Sequence, residues 1–301
     1  MTKTGSKWVS GILASLFCLN ILAWIAVYDL SRAQLLEITF FDVGQGDAIF
    51  IETPQRHQIL IDGGPDDTIL EKLGNEMPFW DRTIDLIILT HPERDHITGL
   101  IEVLKSYKVE NVLWTGVLRD TAGYKEWEKL IKEEEKGRAK IHIAKSGQTI
   151  ICPGWLPGVL PGSHPGGKLF LDILYPFENL EGKEIKDSNN TSIIARLIFD
   201  KVSFLFTGDA YMSVERKLIK KEAEIDSDIL KVGHHGSKTS SCKEFIEQVS
   251  PQIAVIQCGK NNPYGHPHRE TLQTLEGIRI LRTDLDGDIK IISDGAQYII
   301  K

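Results

Sequence analysis

The chain has 301 residues, of which 42% are hydrophobic and 26% are charged, and its formal net charge is -7. This composition is that of an ordinary folded protein, long enough to bury a core without the help of disulfides. The acidic balance argues against tight, sequence-independent wrapping of nucleic acid, because proteins that do this are usually basic. It leaves a nuclease possible, since bound divalent metals supply strong local positive charge.

The chain begins with an apolar run, residues 8–28, that contains no charged side chain. A helix of this length would cross the hydrocarbon core of a bilayer, which is about 30 Å thick. Lys3 and Lys7 precede the run and Asp29 follows it, so the positive-inside rule puts residues 1–7 in the cytoplasm. The sequence therefore predicts a transmembrane signal anchor in the cell membrane, with the rest of the chain extracytoplasmic.

The domain organisation that follows from this anchor is simple. We expect a linker over residues 29–35 and one hydrolase domain over residues 36–301. An alternative is cleavage near Ala33 and secretion of the mature domain, because Ser31 and Ala33 have the spacing of a signal-peptidase site.

Strand-like and helical runs alternate in the rest of the chain. Runs rich in Ile, Val and Phe predict nine strands, at residues 36–41, 48–52, 58–61, 85–89, 192–199, 202–207, 228–232, 253–257 and 288–293. Amphipathic patterns predict five helices, at residues 99–106, 124–136, 213–221, 243–248 and 269–276. Asp200 and Lys201 predict a hairpin turn, and the segment 152–168, rich in Pro and Gly, predicts an irregular loop. Together these elements indicate a layered α/β fold.

The segment with the strongest chemical signal directly follows the strand predicted at 85–89. Within six residues it carries four side chains that could bind a metal: His91, Glu93, Asp95 and His96. A loop that leaves a strand end can turn several such side chains toward one point. Imidazole and carboxylate groups suit zinc, manganese or iron, so this spacing predicts a metal site.

Further candidate ligands follow other predicted strands. Asp209 comes after the strand at 202–207, where its carboxylate could bridge two metals, and His234 and His235 come after the strand at 228–232. Asp62 follows the strand at 58–61, where a tight turn that needs glycine is as good an explanation as a role in the site.

Three polar segments also stand at predicted strand or helix ends. Residues 188–192 and 261–268 could hold a phosphate or an oxyanion, although turns rich in Asn would have the same composition. The glycine-rich turn from Asp42 to Asp47 lacks the GK[ST] sequence of a P-loop, so it does not predict a nucleotide site of that kind.

Seven motifs, in this order, resemble those of the metallo-β-lactamase domain of ComEC-type competence proteins. They are FDVGQGDA (41–48), LIDGG (60–64), THPERDH (90–96), SNNTSI (188–193), FTGD (206–209), LKVGHHGS (230–237) and NPYGHP (262–267). The resemblance covers about residues 36–292. It implies an αββα sandwich, here preceded by one transmembrane helix, with the site along one edge of two sheets.

The resemblance also implies the ligands of two divalent metal ions, zinc or manganese. One metal would bind His91, Glu93 and Asp209, and the other would bind Asp95, His96, Asp209 and His234, with His235 as an alternative to His234. Glu93 departs from the Asp of ComEC-type proteins and from the His of the wider superfamily. A further histidine of the wider superfamily is replaced by Ser188, Asn189 and Asn190. The first position is thus richer in oxygen, which favours manganese.

We assign the remaining roles on the same basis. Asp95, Asp209 and His266 are the predicted catalytic residues, with a hydroxide between the two metals as the nucleophile. The predicted substrate-binding residues are Asn190, His235, Ser237, Tyr264 and His266. The carboxylates of Asp42, Asp47 and Asp62 are predicted to be structural groups near the site.

The function that the resemblance implies is a membrane-anchored phosphodiesterase or nuclease that acts on DNA. With one apolar helix instead of the many that form a channel, the chain would work beside a separate DNA-uptake channel protein. Two alternatives stay open: an envelope phosphodiesterase acting on cell-wall or lipid-linked phosphodiesters, and a non-catalytic binding module with a degenerate site.

Overall fold

The structure is a computed structural model, and it describes residues 3–31, 35–137, 139–151 and 169–301. By its internal contacts the chain divides into two units, Met1–Gln34 and Leu35–Lys301. This division lies within one residue of the predicted start of the hydrolase domain.

The first unit contains one helix, α1 (Lys3–Ser31), which includes the predicted helix at 8–28 and runs into the predicted linker. In the parts of the chain that the structure describes, no helix combines the length and apolar character that a membrane crossing requires. The predicted helix is therefore present, whereas its passage through a membrane is not shown. The alternative cleavage site at Ala33 lies outside the described residues.

The described part of the second unit contains fifteen strands and seven helices. The strands are β1 (Leu36–Phe40), β2 (Ile49–Glu52), β3 (Gln58–Ile61), β4 (Thr83–Ile88), β5 (Lys108–Trp114), β6 (Lys140–Ile143), β7 (Gln148–Ile151), β8 (Leu169–Tyr175), β9 (Ile194–Phe199), β10 (Val202–Phe206), β11 (Ile229–Lys231), β12 (Ile253–Ile256), β13 (Arg279–Arg282), β14 (Ile289–Ser293) and β15 (Tyr298–Ile300). The helices are α2 (Thr68–Glu76), α3 (Arg94–Ser106), α4 (Ala122–Lys136), α5 (Met212–Lys220), α6 (Lys243–Val249), α7 (Arg269–Thr274) and α8 (Thr283–Asp286).

These strands form two mixed sheets. The first has the order β15-β14-β1-β2-β3-β4-β5-β6, and the second has the order β13-β12-β11-β10-β9-β8-β7. Strands β3 to β6 run parallel, as do β10 to β13, because a helix connects most successive pairs. The remaining pairs are antiparallel, and the hairpin predicted at Asp200 and Lys201 joins β9 to β10.

Three apolar clusters hold the layers together. One lies between the sheets and joins residues such as Ile38 and Ile51 of the first sheet to Leu197 and Phe204 of the second. The second cluster packs α2, α3 and α4 on the first sheet, and the third packs α5, α6 and α7 on the second. The predicted αββα sandwich is therefore confirmed. Each buried aliphatic side chain contributes about 1.5–3 kcal/mol relative to an exposed one.

The nine predicted strands are all present, with ends within two residues of those predicted. Six strands were not predicted: β5, β6, β7, β8, β13 and β15. The irregular loop predicted at 152–168 lies outside the described residues.

The topology brings the candidate ligands together at one edge of the sandwich. The chain leaves β3 at Asp62, β4 just before His91, β10 just before Asp209 and β11 just before His235. These are carboxyl ends of parallel strands, which open toward the same edge in each sheet and commonly form ligand sites.

Candidate metal centre

The loop after β4 and the first turn of α3 carry the largest group of candidate ligands. His91 and His96 are fully buried, and Asp95 is partly exposed. The helix packs closely against the loop after β3, where Gly63 N donates to His96 O (2.9 Å). A Cβ on Gly99 would lie 1.8 Å from Gly63 O, so glycine is required where the helix crosses this loop. The close packing fixes the position of His96.

The turn after β11 directs its two histidines differently. His234 and His235 both have left-handed backbone conformations, with φ of 48° and 53°. Such conformations are uncommon for residues other than glycine and occur often at functional sites. The side chain of His235 is 1% exposed, whereas that of His234 is 20% exposed. The strained turn therefore buries His235 in the centre and leaves His234 nearer its rim.

Four side chains converge in what we call the four-ligand position: Asp95, His96, Asp209 and His235. One ligand atom from each lies within 4.8 Å of the others. Asp209 Oδ2 is 3.4 Å from His96 Nε2 and 3.3 Å from His235 Nε2, and Asp95 Oδ2 is 3.3 Å from His235 Nε2. Tetrahedral ligands at bond lengths of about 2.0–2.2 Å lie about 3.3–3.6 Å apart. The spacing therefore suits one divalent first-row metal.

Asp62 orients two of the histidines. His96 Nδ1 donates to Asp62 Oδ2 (2.8 Å), which also accepts from Thr90 Oγ1 (2.6 Å). Since the Thr90 hydroxyl gives its hydrogen to Asp62, it accepts from His91 Nδ1 (3.0 Å). In both rings Nδ1 is thus engaged as the donor and Nε2 is the atom left for a metal, the arrangement seen in metal-binding histidines. The buried Nε2 atoms of His91 and His96 have no hydrogen-bond partner among the described residues.

His235 is held in an equivalent way from the other sheet. Its Nδ1 donates to Gln257 O (2.9 Å) and lies 3.2 Å from Asp47 Oδ1, which leaves Nε2 free. Asp47 in turn forms a buried ion pair with Lys231, whose Nζ also donates to Gly208 O (3.2 Å). The lysine lies beside Asp209 and balances part of the negative charge of the centre.

The electrostatics of the group are those of a site that needs a cation. Burial opposes charge on Asp209, but His235 and His96 hold the pKa of its carboxyl well below the usual value. Burial also opposes charge on His96, yet Asp209, Asp62 and Asp95 raise its pKa well above the usual value. Without a metal, protons on the histidines would stabilise the carboxylates, and a bound metal would replace them. Burial raises the pKa of Asp62 itself, against hydrogen bonds that favour its charged form.

His91 lies near Asp209 but is not one of the four residues of the four-ligand position. Its Nε2 is 3.9 Å from Asp209 Oδ2, and its ring centroid is 4.1 Å from that of His96. Burial and the neighbouring His96 lower the pKa of His91 to about 3, so the ring is neutral and can ligate. His91 and the shared Asp209, whose Oδ1 has no hydrogen-bond partner among the described residues, are the predicted ligands of the second metal position that remain available.

Glu93 was predicted to complete that second position, which we call the Glu93 position, and the structure gives its carboxylate other partners. Glu93 Oε1 accepts from Arg119 Nη2 (2.5 Å) and from Ser188 Oγ. Arg119 Nη1 also donates to Lys186 O (3.3 Å), which holds the guanidinium in place. Charge-assisted hydrogen bonds of this kind are strong, and a metal would have to compete with the guanidinium for the carboxylate. The structure therefore does not support Glu93 as a ligand.

The predicted ligand His234 also has other partners. Its Nε2 accepts from Asn189 Nδ2 (3.3 Å), and its Nδ1 donates to Thr239 Oγ1 (3.0 Å). Its ring stacks on Tyr211, with centroids 5.2 Å apart. Both ring nitrogens of His234 are engaged, whereas His235 has only Nδ1 engaged. The geometry therefore favours His235, which was predicted as the alternative ligand, over His234.

The predicted substrate-binding residues separate into two groups. His266 and Tyr264 lie at the rim, where their rings stack at 5.6 Å and His266 is 6.1 Å from the His235 ring. Burial and the charges of His235 and His234 lower the pKa of His266 to about 4. Ser237, in contrast, is buried and bonded to Thr239, so it supports the turn and does not face a substrate.

The predicted structural residues include one that lies outside the centre. Asp42 accepts from Gly44 N (3.2 Å) within its own turn, and its backbone N–H donates to Asp288. Asp47 and Asp62 instead contact ligands directly, as a second cluster of Asp47, Asp62 and His96 shows. Asn190 accepts from Ser213 Oγ (3.0 Å) and lines a neighbouring cavity.

Two residues in the centre were not predicted. Lys231 was indicated only by its position, a charged residue within the apolar run ILKV, and it is fully buried. Arg119 had no local signal, because it follows the unpredicted strand β5 and reaches Glu93 only in the fold. The residues present thus fit one divalent cation, in the four-ligand position. They do not provide a second complete ligand set among the described residues.

The comparison with protein families decides the class. A match to the metallo-beta-lactamase superfamily covers residues 41–260, which include every residue of the four-ligand position. The chain belongs to the metallo-beta-lactamase superfamily. The superfamily's metal dependence agrees with the buried ligand cluster, and the resemblance stated from the sequence motifs is confirmed.

Three curated relatives that match most of the chain are named as competence or recombination proteins. The chain is 30% identical to ComE operon protein 3 of Bacillus subtilis over 292 residues, which covers 91% of the chain and 35% of that protein. It is 29% identical to competence protein ComA of Neisseria gonorrhoeae, covering 84% of the chain and 32% of that protein. Recombination protein 2 of Haemophilus influenzae is 27% identical, with 85% and 28% covered. The chain spans about a third of the length of these relatives.

Solved structures support the fold. The metallo-beta-lactamase fold protein YhfI from Bacillus subtilis superposes with a TM-score of 0.53 at 12% identity, covering 85% of this chain and 99% of that one. Igni18, a metallo hydrolase from Ignicoccus hospitalis, superposes with a TM-score of 0.52 at 16% identity, covering 85% and 98%. At these identities the likeness concerns the fold alone.

Proposed function

We propose that the protein is a metal-dependent phosphodiesterase that cuts DNA. The observation that carries the proposal is the four-ligand position, in which buried histidines present free Nε2 atoms beside Asp95 and Asp209. A buried, unpaired polar atom costs free energy, so such a cluster is retained where a ligand satisfies it. Its two imidazoles and two carboxylates suit manganese or zinc.

A divalent cation held there would lower the pKa of a bound water and stabilise charge on a phosphoryl oxygen. The protein's own residues then supply orientation. Asp62 fixes the rings of His96 and His91, while Asp47 and Gln257 O fix His235. This outer layer of contacts keeps the ligands in place without further reorganisation when a substrate binds.

The rim residue His266 is placed to act on the substrate. Its pKa of about 4 makes it neutral near pH 7, so it can donate or accept a hydrogen bond without bringing charge. Asn262 fixes the backbone around it, since Asn262 Nδ2 donates to His266 O (2.7 Å) and Asn262 Oδ1 accepts from His266 N (2.9 Å). We assign His266 to a phosphate oxygen or to the leaving group.

DNA is proposed as the substrate because curated relatives are named for competence and recombination, both of which involve DNA strands. The chain spans about a third of the length of these relatives, and the separate channel protein that the sequence resemblance implied stays a proposal. The extracytoplasmic location and the membrane anchor stay predictions from the sequence.

The test is hydrolysis by the purified full chain. Single-stranded DNA, double-stranded DNA and bis(p-nitrophenyl) phosphate would each be offered with manganese or zinc. Asp209→Asn and His235→Ala should abolish turnover, whereas Asp120→Asn, a matched change at an exposed carboxylate, should leave it intact.

The outcomes separate the alternatives. DNA cleavage that needs metal, Asp209 and His235 would support the proposal. Cleavage of the small diester alone would redirect the substrate to envelope phosphodiesters. Metal binding without turnover of any substrate would contradict the enzyme and leave a binding module.

A further inference from the structure

A cavity of about 700 Å³ lies beside the metal centre and has a basic rim. Its lining includes Lys217, Lys220 and Lys221 at the end of α5, together with Phe177, Tyr175 and Asn190. We propose that this cavity binds a single-stranded segment of the DNA substrate next to the scissile phosphodiester. The proposal rests on the proposed function, because it names the path of that substrate.

The charge of the rim points to a polyanion. Residues 217, 220 and 221 have the spacing that places side chains on one helical face, where like charges repel one another. All three lysines are exposed, and in the described parts of the chain none of them forms an ion pair. The lining carboxylate, Glu178, is paired with Lys183 at 3.4 Å. The rim is therefore positive, although the whole chain has a net charge of -7.

The helix end by itself accounts for only part of this arrangement. Cations near a helix C-terminus interact favourably with the helix dipole, which would explain Lys217 and Lys220 on any surface helix. It does not explain why the lysines border a cavity that is also lined by aromatic side chains. Lys221 Nζ lies 6.0 Å from the centroid of the partly exposed Phe177 ring, which packs edge-on against Tyr175. Lysines beside an aromatic ring are the features that bind phosphates and stack bases of single strands.

A short turn, Ser188–Thr191, connects the cavity to the metal centre. Its first residues face the centre, where Ser188 contacts Glu93 and Asn189 contacts His234. Its last residues, Asn190 and Thr191, line the cavity. A strand that crosses this turn from the four-ligand position would enter the cavity, so the two sites adjoin.

The experiment compares two triple variants of the full chain. One is K217Q/K220Q/K221Q, and the other is K125Q/K129Q/K132Q, which removes the same charge from the exposed face of α4. Binding of a fluorescent single-stranded oligonucleotide of about 12 nucleotides is measured by anisotropy as a function of salt, with Asp209→Asn present in every chain to prevent cleavage. Hydrolysis of bis(p-nitrophenyl) phosphate is measured with Asp209 restored.

The α5 variant should bind the oligonucleotide on the order of tenfold more weakly, and its salt slope should fall by about 2, because each phosphate contact of a single strand contributes about 0.7. Hydrolysis of the small diester should not change, since this substrate does not reach the cavity. K217R/K220R/K221R should restore binding, because it keeps the charge. The α4 variant should bind as the unaltered chain does.

Each failure has a separate meaning. Equal affinities and salt slopes for the α5 and α4 variants would overturn the proposal while leaving a phosphodiesterase intact. A chain that hydrolyses the small diester and binds no oligonucleotide would also overturn it. A chain that binds the oligonucleotide through the α5 lysines but hydrolyses nothing would support the cavity and contradict the proposed function.

Discussion

The four-ligand position and the Glu93 position share Asp209, but their other ligands have different partners. At the first, the neighbours of the ligands bind only the atoms that face away, so that the Nε2 atoms of His96 and His235 stay free. At the second, Arg119 and Ser188 both donate to Oε1 of Glu93, so the carboxylate already has a cationic partner. The same superfamily centre thus presents one prepared cation site and one whose charge is already balanced.

The contrast between the two positions shows how the positive charge of a side chain can take the place of a metal ion. Arg119 is a fixed cation, and it pairs with Glu93 through one contact, from Nη2 to Oε1, while its Nη1 donates to Lys186 O. The four-ligand position has the buried Lys231 nearby, but this lysine pairs with Asp47 and leaves Asp209 Oδ2 to the histidines. One half of the centre therefore needs an external cation, and the other half has an internal one.

The largest expected effect comes from the pair His235 and His234. His235→Ala should reduce metal affinity and turnover by more than about 100-fold, since loss of a direct ligand should exceed the roughly 10–100-fold cost of losing an outer partner. His234→Ala should cost at most about 30-fold, because it removes two hydrogen bonds of about 1 kcal/mol each. Metal titration and steady-state kinetics on both variants would measure this. The reverse order of effects would show that His234 is the ligand.

An intermediate effect is expected at Asp62, which orients histidines in both halves. Asp62→Asn puts an amide where a carboxylate accepts from His96 and Thr90, so metal affinity should fall by about 10–100-fold. The matched control is Asp85→Asn, since Asp85 accepts from His57 in a similar pair that is remote from the centre. Competition with a chromogenic chelator would measure both affinities. Equal losses in the two variants would mean that Asp62 acts only on stability.

Most of the sandwich could be predicted from the sequence, because apolar runs such as QILI at β3 report burial directly. The strands that the sequence did not predict have weak local patterns. Lys108–Trp114 reads KVENVLW, with polar residues on a strand that is partly covered, and Arg279–Arg282 has a charged residue at each end. In both cases pairing with neighbouring strands outweighs the weak local pattern.

The metal centre was predictable to a similar degree. We could identify His91, Asp95, His96 and Asp209 from the sequence, because each is a residue type that binds metals and each lies in a segment that directly follows a predicted strand. The choice between His234 and His235 depends on two successive left-handed residues, which no local pattern specifies. The partner of Glu93 lies 26 positions away, and only the fold brings Arg119 to it.

The smallest expected effect concerns Arg119, and it tests the comparison between the two halves most directly. The unaltered chain should bind about one manganese ion tightly, because only the four-ligand position has a complete set of free ligands. Arg119→Gln removes the cation that balances Glu93, so His91, Glu93 and Asp209 become available for a second, weaker ion. Metal analysis after gel filtration, together with manganese titration, would give both stoichiometries.

Two variants control for charge alone in this test. Arg94→Gln removes the same charge from an exposed side chain next to Glu93, and it should leave the stoichiometry at about one. Glu93→Gln combined with Arg119→Gln should also stay at about one, because the second position would then lack its carboxylate. Two tightly bound ions in the unaltered chain would contradict the difference between the halves, since Arg119 would then have to leave Glu93 whenever metal is present. A second ion that appears only when Arg119 is removed and Glu93 is kept would show that the guanidinium occupies the place of a metal.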